Sequence, residues 1–587
     1  GPHEAFAAPS RPELLHALLM TLGAPGDRVV VSASLRPSCR AALAKAGADP
    51  VWVHDDGEEV ADLLPLLKPK LVVIASPRGG LERLLARCAE LDILLVLDES
   101  DRFVIGSRAP ENPGLAFLAQ HADSPNLAVL VGLIHSQAFP DVELALLFSR
   151  HPRLMAGLEV AAELSYSRLS CFHQAYYDSL FDELLSFRVN TGAPRAEARP
   201  AGGPALSSTM DELLRSPAFA RPAPDPDVIR LDFGENELPL PRRLQAGILQ
   251  GFLEPPQPGG ATRPEARRAA ADHLRATRLP ELKDAQLVLG MGTLPLLFDA
   301  LRVMARSLGR PPVVLLPLGS YGVFPALVQA AGGKARRLQT RAPGFLATPA
   351  EVHDAGAFDA LLLTHPANPS GAAYTPDALR ELARLASARG AKLIIDEVFG
   401  LLADLDGPAP FGQDRWAGLT GPERESLLVL CGASKEFAAG GLRLGLAASA
   451  DSAWLAAMED LQLDPLPVSI QVAVSTLFGE PHLLRQEMEA HRAALARRRH
   501  RLLEGLRGLG FAVASEGGGL FLFPDAAPLS KDPEALSLDL EAKARVRMNT
   551  PSWSGTTSHL RACYAIPEAR IDEALQRLKT YFSAARG

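Results

Sequence analysis

The chain has 587 residues, a hydrophobic fraction of 47% and a formal net charge of −8 at neutral pH. That length suggests more than one domain, and the ordinary composition is typical of a globular protein. Acidic residues outnumber basic ones and the arginines are scattered, so we expect no nucleic-acid partner.

The sequence also predicts no membrane partner. No apolar run is long enough to span a bilayer, and the start lacks the basic-then-apolar pattern of a secretion signal. The five cysteines are far apart and form neither a disulfide framework nor a metal-ligand spacing, so we expect no metal and a cytoplasmic location. Gly1-Pro2 is typical of a protease cleavage scar, which leaves open whether the natural protein extends further N-terminally.

Short runs of Val, Leu and Ile alternate with helical stretches along the chain, for example at 313–316, 361–364 and 393–396. Strands that are apolar on both faces predict an α/β fold with a mainly parallel sheet sandwiched by helices. Between 187 and 227 the pattern is broken by seven prolines and a Gly-Gly pair. We predict a linker there, with a short helix around 210–215.

Several motifs occur on both sides of this linker, in the same order and with near-constant spacing. This indicates an internal duplication, although apolar strands alone are shared by all parallel α/β units. The pairs are 71–77 with 361–366, Asp98 with Asp396, and Ser136-Gln137 with Ser434-Lys435.

The most informative segment contains Ser434 and Lys435, followed eight positions after the lysine by Arg443, with glycines between. A lysine amine can condense with an aldehyde as a Schiff base, and serine and arginine can bind a phosphate. This pattern is typical of proteins that hold pyridoxal 5'-phosphate.

Residues from about 231 to the end resemble the class I/II aminotransferases, which are pyridoxal-phosphate enzymes of fold type I. The resemblance implies a cofactor-binding large domain at 228–468, with an N-terminal arm, and a C-terminal α+β small domain at 469–587. The linker is then 189–227, and 1–188 is a degenerate copy of the large domain.

By this resemblance, three side chains contact the cofactor ring. Asp396 would pair with the pyridine nitrogen and favour its protonated form, which makes the ring an electron sink. Asn368 would lie beside the ring hydroxyl, and Tyr321 would stack on the ring. Taken alone, an aspartate at a strand end also caps helices, Asn-Pro-Ser-Gly is an ordinary turn, and tyrosines pack in cores.

The resemblance also implies a phosphate site. Thr293 and Leu294 would lie at a helix N-terminus after Gly292, where backbone amides suit an anion. Ser434 and Arg443 would complete it, the arginine through a charge-assisted pair of hydrogen bonds. The same glycine turn opens many ordinary helices.

The amino-acid substrate would be held by another group of residues. Arg561 matches the family arginine that binds the α-carboxylate and so fixes which α-bond faces the ring. Gly234 and Asn236 resemble the segment that closes over the substrate, and Asn368 also belongs to this group.

Two features depart from the family. Phe399 stands where many members have a tyrosine that is hydrogen-bonded to the ring oxygen. The stretch 252–267 lacks the tyrosine that the family usually supplies across a dimer interface to the cofactor phosphate.

The first module retains Asp98, but Gln137 replaces the lysine, Glu143 replaces the arginine, and Pro77-Arg78 stands where the asparagine motif should be. Glutamine cannot form a Schiff base and a glutamate repels a phosphate, so we predict no cofactor there. The module also lacks a small domain and begins, on this alignment, inside the helix after the phosphate loop. We expect it to be a scaffold that serves as a built-in pseudo-partner, with a homodimer as the open alternative.

A degenerate module followed by a complete one is also similar to the C-terminal region of the methionine S-methyltransferase family. That resemblance implies an upstream methyltransferase domain that this sequence does not contain.

The sequence therefore predicts a pyridoxal-phosphate enzyme acting on an α-amino acid, most consistent with an aminotransferase forming a Schiff base at Lys435. Decarboxylation of methionine or S-methylmethionine is an alternative because the fold does not fix which α-bond breaks. The remaining alternative is a regulatory or assembly region without catalysis.

Overall fold

A computed structural model describes residues 5–75, 79–100, 113–121, 123–132, 143–166, 169, 174, 202–254, 262–464, 466–513 and 517–586. The chain divides into two compact units. The first comprises Gly1–Phe219, Pro256–Gly260 and Leu461–Pro467, and the second comprises Ala220–Pro255, Ala261–Asp460 and Val468–Gly587. None of the helices in the described residues has both the length and the apolar character needed to cross a membrane.

The first unit is built on a seven-stranded sheet in the order β1-β7-β6-β5-β4-β2-β3. Strands β2 to β6 pair in parallel, whereas β7 is antiparallel to both β6 and β1. Its strands are β1 (Ala5–Ala8), β2 (Arg28–Ser32), β3 (Asp49–Val53), β4 (Leu71–Ala75), β5 (Leu94–Asp98), β6 (Leu127–Gly132) and β7 (Ala145–Ser149). Its helices are α1 (Arg11–Leu22), α2 (Arg36–Ala46), α3 (Gly57–Leu67), α4 (Leu81–Glu90), α5 (Pro113–Gln120), α6 (Leu154–Ser165) and α7 (Ser208–Arg215).

The second unit contains a two-stranded pair that includes β8 (Ile229–Arg230) and a seven-stranded sheet in the order β11-β10-β12-β13-β14-β15-β9. The sheet strands are β9 (Leu287–Gly290), β10 (Val313–Pro317), β11 (Lys334–Leu338), β12 (Ala360–Thr364), β13 (Lys392–Asp396), β14 (Leu427–Gly432) and β15 (Gly445–Ser449). The helices before and between them are α8 (Arg242–Leu253), α9 (Pro264–Thr277), α10 (Thr293–Leu308), α11 (Phe324–Ala330), α12 (Pro349–Asp354), α13 (Pro376–Ala388), α14 (Gly421–Glu425), α15 (Ala433–Glu436) and α16 (Ser452–Glu459).

The two large sheets have the same strand order and the same directions. β10 to β14 pair in parallel, and β15 is antiparallel to both β14 and β9, as β7 is to β6 and β1. The prediction that the first module begins inside its first helix is wrong, because β1 precedes α1 and occupies the position that β9 has in the second sheet. The short helix predicted around 210–215 is α7.

The C-terminal part of the second unit mixes helices with short strands. Its helices are α17 (Val468–Phe478), α18 (Pro481–Leu509), α19 (Pro533–Asp539), α20 (Pro551–Ser554) and α21 (Glu568–Arg586), and its strands are β16 (Phe521–Leu522), β17 (Val546–Arg547) and β18 (Ala562–Cys563). β16 pairs with β18 in antiparallel orientation, and β17 pairs in parallel with β8 near the start of the unit. The α+β character predicted for this region is therefore present.

The parallel core of the second sheet positions the polar residues of the site. β12, β13 and β14 are almost entirely buried apolar strands that run side by side in the same direction. Their carboxyl ends therefore lie at one edge, and the residues after Thr364, Asp396 and Gly432 meet there. Asn368 and Lys435 follow two of these strand ends in the sequence.

Candidate active site

Lys435 lies on α15, the single helical turn that follows β14. Its Nζ donates to Oε1 of Glu235 at 2.7 Å, and its side chain is 20% exposed. Its backbone carbonyl accepts from Nδ2 of Asn236 at 2.9 Å. Glu235 and Asn236 therefore lie directly against the lysine.

Asp396 is the last residue of β13, and its carboxylate is buried. Burial raises the pKa of Asp396 to about 7, and the charge of Glu397 adds to this shift, whereas the N–H of Val398 and the charge of Lys435 oppose it. A carboxyl group with that pKa can gain or lose a proton near neutrality. Because the charge of Lys435 acts on the pKa of Asp396, the amine and the carboxyl group interact electrostatically.

Arg561 immediately precedes β18, and its side chain is buried. Nε donates to Oδ1 of Asn549 at 2.9 Å, Nη1 donates to Oδ1 of Asn368 at 3.3 Å, and Nη2 donates to the carbonyl of Asp232 at 2.6 Å. Two residues predicted for substrate binding, Arg561 and Asn368, are therefore in contact.

Two aromatic rings enclose this guanidinium. Cζ of Arg561 lies 4.2 Å from the ring centroids of both Phe521 and Trp553. Burial lowers the pKa of Arg561, while the contacts with neutral acceptors and aromatic faces fix its orientation. The ring of Trp553 also meets Tyr321 edge-on, with centroids 5.5 Å apart, so Tyr321 lies beside the arginine.

The residues predicted to bind a phosphate surround the N-terminus of α10. Thr293 and Leu294 are its first two residues and are both half-buried. Gly292 has a φ of +115°, and a Cβ there would lie 3.0 Å from Nη2 of Arg443. Ser434, half-buried, is the second residue of α15.

Close backbone packing joins these two segments. A Cβ on Gly445, which begins β15, would lie 2.8 Å from the backbone nitrogen of Thr293. A Cβ on Gly432, which ends β14, would lie 3.4 Å from Cγ2 of Thr293. The start of α10 is therefore held against the strand ends that carry Ser434 and Arg443.

This set of groups fits pyridoxal phosphate. The N-terminus of a long helix and the cation of Arg443 suit the phosphate. The buried carboxyl of Asp396 suits the pyridine nitrogen, and the amine of Lys435 suits the aldehyde. All of these residues belong to the second unit.

Phe399, one of the two departures from the family pattern, lies in the described part of the chain. Phe399 is buried and meets the ring of Phe521 edge-on, with centroids 5.7 Å apart. It supplies no hydroxyl, so the ring-oxygen contact of many relatives is missing at this position. Within 252–267, residues 255–261 lie outside the described part of the chain.

The positions in the first unit that correspond to the candidate site have different charged neighbours. Nη1 of Arg11, the first residue of α1, lies 3.6 Å from Oδ2 of Asp98, the counterpart of Asp396. Glu143 is half-buried, and burial raises its pKa to about 7, aided by the charge of Asp464 and opposed by that of Arg11. Gln137 and Pro77-Arg78 lie outside the described residues.

Sequence reasoning missed several residues of the site. Glu235, which pairs with the lysine, stands between two residues that were singled out, so its position was an available signal. Trp553 and Asn549 contact Arg561 from 8 and 12 positions away, and no local motif marks them.

The second unit matches a known protein family. The family model for aminotransferase class I and II matches residues 227–578, which is more than half of the chain. The chain belongs to the class I and II aminotransferase family. Within that family, it is 29% identical over 362 residues to the aspartate/prephenate aminotransferase of Thermus thermophilus, covering 60% of this chain and 90% of that protein.

Solved aminotransferase structures share the fold of the second unit. The aspartate aminotransferase from Thermus thermophilus with maleate superimposes with a TM-score of 0.54 at 25% identity, covering 60% of this chain and 91% of that one. An aromatic aminotransferase from Pyrococcus horikoshii gives a TM-score of 0.56 at 23% identity, covering 62% and 97%, which shows the fold alone.

A longer similarity covers both units. The chain is 23% identical over 556 residues to the methionine S-methyltransferase of Hordeum vulgare, covering 88% of this chain and 50% of that protein. The methionine S-methyltransferase of Zea mays gives 24% identity over 563 residues, with the same coverages. The chain thus spans about half the length of these relatives.

Proposed function

We propose that the chain is a pyridoxal-phosphate-dependent aminotransferase that acts on an α-amino acid, with Lys435 as the residue that holds the cofactor. One observation carries the proposal: Asp396 ends β13, Lys435 follows β14, and Arg561 contacts Asn368, which follows β12. Family membership supports the same chemistry at a coarser level.

When bound, the cofactor supplies an electron sink that stabilises negative charge at the substrate α-carbon. The carboxylate of Asp396 would favour the protonated form of the pyridine nitrogen, which strengthens that sink. Arg561 would bind the substrate carboxylate and orient the α-carbon. Lys435 would bind through Nζ and, once released, move the α-proton as a general base and then as a general acid.

The experiment combines colour with product analysis. Purified protein mixed with pyridoxal phosphate should develop an absorbance band that borohydride traps and that Lys435→Ala lacks. With a panel of amino acids and a keto-acid acceptor, we expect keto acid as the product. Amine and carbon dioxide would instead identify a decarboxylase, and a wild type that is colourless after unbound cofactor is removed would refute the enzyme.

A second candidate function comes from the similarity that extends over both units. Because methionine S-methyltransferases match 88% of the chain, a regulatory or assembly role in a longer protein of that kind is the alternative. An upstream methyltransferase domain would then be its partner. Binding of methionine or S-methylmethionine to the cofactor-loaded protein, without any product over many hours, would favour this role over transamination.

For the first unit we propose a scaffold that binds no cofactor and replaces the second subunit of a dimer. The pairing of Arg11 with Asp98 supports this, because it places a guanidinium beside the carboxylate that would otherwise serve a pyridine nitrogen. We expect one cofactor per chain and a monomer in solution. Light scattering that shows a stable dimer would favour the homodimer instead.

A further inference from the structure

A buried ion cluster lies beneath the candidate site in the second unit. It consists of Arg278, Arg415, Glu397 and Glu436, whose side chains are 2%, 5%, 0% and 1% exposed. Nε of Arg278 lies 3.0 Å from Oε2 of Glu397, and Nη2 of the same arginine donates to Glu436. Nε of Arg415 donates to Oε1 of Glu397 at 2.6 Å. Arg278 is thus the cation that both carboxylates share.

Each of the two carboxylates is next in sequence to a residue of the candidate site. Glu397 directly follows Asp396, and Glu436 directly follows Lys435. The N–H of Glu397 donates to the carbonyl of Leu430 on β14 at 2.7 Å, and Oε1 of Glu436 accepts from the N–H of Leu401 at 2.7 Å. Arg278 therefore joins the segment that carries the buried carboxyl to the segment that carries the amine.

Burying these four ionisable groups away from water costs free energy. Burial alone would raise the pKa of Glu397, but Arg415, His365 and Arg278 together lower it to about 2, so its charge persists. Burial raises the pKa of Glu436 to about 7 against the opposing charge of Arg278. Without Arg278, Glu436 would lose its paired cation and take up a proton or move away from Glu397, so the ionic link between the two segments would be broken.

A purely stabilising role explains this arrangement poorly. Buried ion pairs often contribute no more to stability than apolar residues of similar volume, because desolvation offsets their attraction. What such a cluster does supply is a fixed geometry between the segments that it joins. The spacing of Asp396 and Lys435 is the geometry that a single cofactor ring has to match.

We propose that Arg278 is a positioning residue that fixes the distance between Asp396 and Lys435 by pairing with the neighbours of both. The expected effect on cofactor binding rests on the proposed function, because the spacing matters for binding only if one cofactor contacts both Asp396 and Lys435. Replacing Arg278 should lower the affinity for the cofactor. It should also loosen the two segments that Arg278 joins in the cofactor-free chain.

The test compares Arg278→Met with Arg499→Met in the full chain. Arg499 is an equally buried arginine of the same unit, at 1% exposure, and it contacts Gly517 and Asp406 rather than the cluster. We expect Arg278→Met to raise the dissociation constant of pyridoxal phosphate by about tenfold or more, and Arg499→Met to change it by less than about threefold.

A double variant separates positioning from general destabilisation. Arg278→Met with Glu436→Gln removes the cation together with one carboxylate, leaves Glu397 paired with Arg415, and retains an acceptor for the N–H of Leu401. Because the ionic link between the two segments stays broken, we expect its dissociation constant to remain about as high as that of Arg278→Met. Equal constants for wild type and Arg278→Met, or a double variant that recovers the wild-type affinity, would overturn the proposal.

Hydrogen exchange on the cofactor-free protein keeps this inference separate from the proposed function. Faster exchange at 393–397 and 431–437 in Arg278→Met, but not in Arg499→Met, supports the positioning role even if the wild type takes up no cofactor. Unchanged exchange in those segments contradicts it. A wild type that remains colourless refutes the proposed enzyme alone.

Discussion

Lys435 and Glu235 form an ion pair in which Nζ lies 2.7 Å from Oε1. The glutamate is 36% exposed and the lysine 20%, so the pair is only partly shielded from water. Because Asn236 also holds the carbonyl of Lys435, the segment 234–236 contacts the lysine at both its amine and its backbone. The amine must leave Glu235 before it can condense with an aldehyde.

Glu235→Gln should therefore accelerate cofactor capture. A partly exposed ion pair contributes up to about 1 kcal/mol, so we expect an increase of about two- to fivefold in the rate constant. Stopped-flow absorbance after mixing with pyridoxal phosphate measures it, with Glu237→Gln as the neighbouring control. Slower capture in Glu235→Gln would show that the carboxylate assists the condensation instead.

Arg561→Met should weaken amino-acid binding while leaving cofactor binding nearly intact. Charged hydrogen bonds contribute about 1.5–3 kcal/mol, so we expect a loss of about ten- to a hundredfold in substrate affinity. Spectral titration of the loaded protein with amino acids and with the matching amines measures this. The amines should bind equally to wild type and variant, because they lack the carboxylate that Arg561 is proposed to hold.

Arg443→Met tests the phosphate site. Its guanidinium lies against Gly292 at the start of α10, where a phosphate is expected to bind. The variant should lose about ten- to a hundredfold in affinity for pyridoxal phosphate and little for pyridoxal, which lacks the phosphate. An equal loss for both ligands would place the role of Arg443 elsewhere.

The stability of the cofactor-free protein should depend on Asp396. Its pKa is raised from an ordinary value of 3.8 to about 7, so the folded chain binds this proton more tightly than the unfolded chain. This contribution is fully present below about pH 4 and is lost as the pH rises through about 7. The melting temperature of Asp396→Asn should therefore decline less than that of wild type between about pH 5 and about pH 8. Parallel curves would contradict the shift.

Local sequence motifs mark several residues of the candidate site, and their roles stay predictions. Lys435 and Arg443 belong to one short segment, and Asp396 stands at the end of an apolar strand. The α/β architecture followed from the alternation of apolar runs with helical stretches, and the α+β C-terminal part was implied by the resemblance to the aminotransferases. Both are confirmed.

Contacts between distant segments were beyond that reasoning. Arg278 is one of 60 basic residues and precedes Glu436 by 158 positions, so nothing local marks it. The two rings around Arg561 come from separate elements, and only the folded chain brings them together. The strand β1 was missed because four residues carry too little periodicity to be recognised.

The central claim is that Lys435 holds one pyridoxal phosphate per chain. Borohydride reduction of the cofactor-treated full chain, followed by peptide mass spectrometry, tests it most directly. We predict one phosphopyridoxyl group per chain, located on Lys435 and absent from Lys435→Ala. Labelling of another lysine at the same stoichiometry, or no label on the wild type at saturating cofactor, would contradict the account.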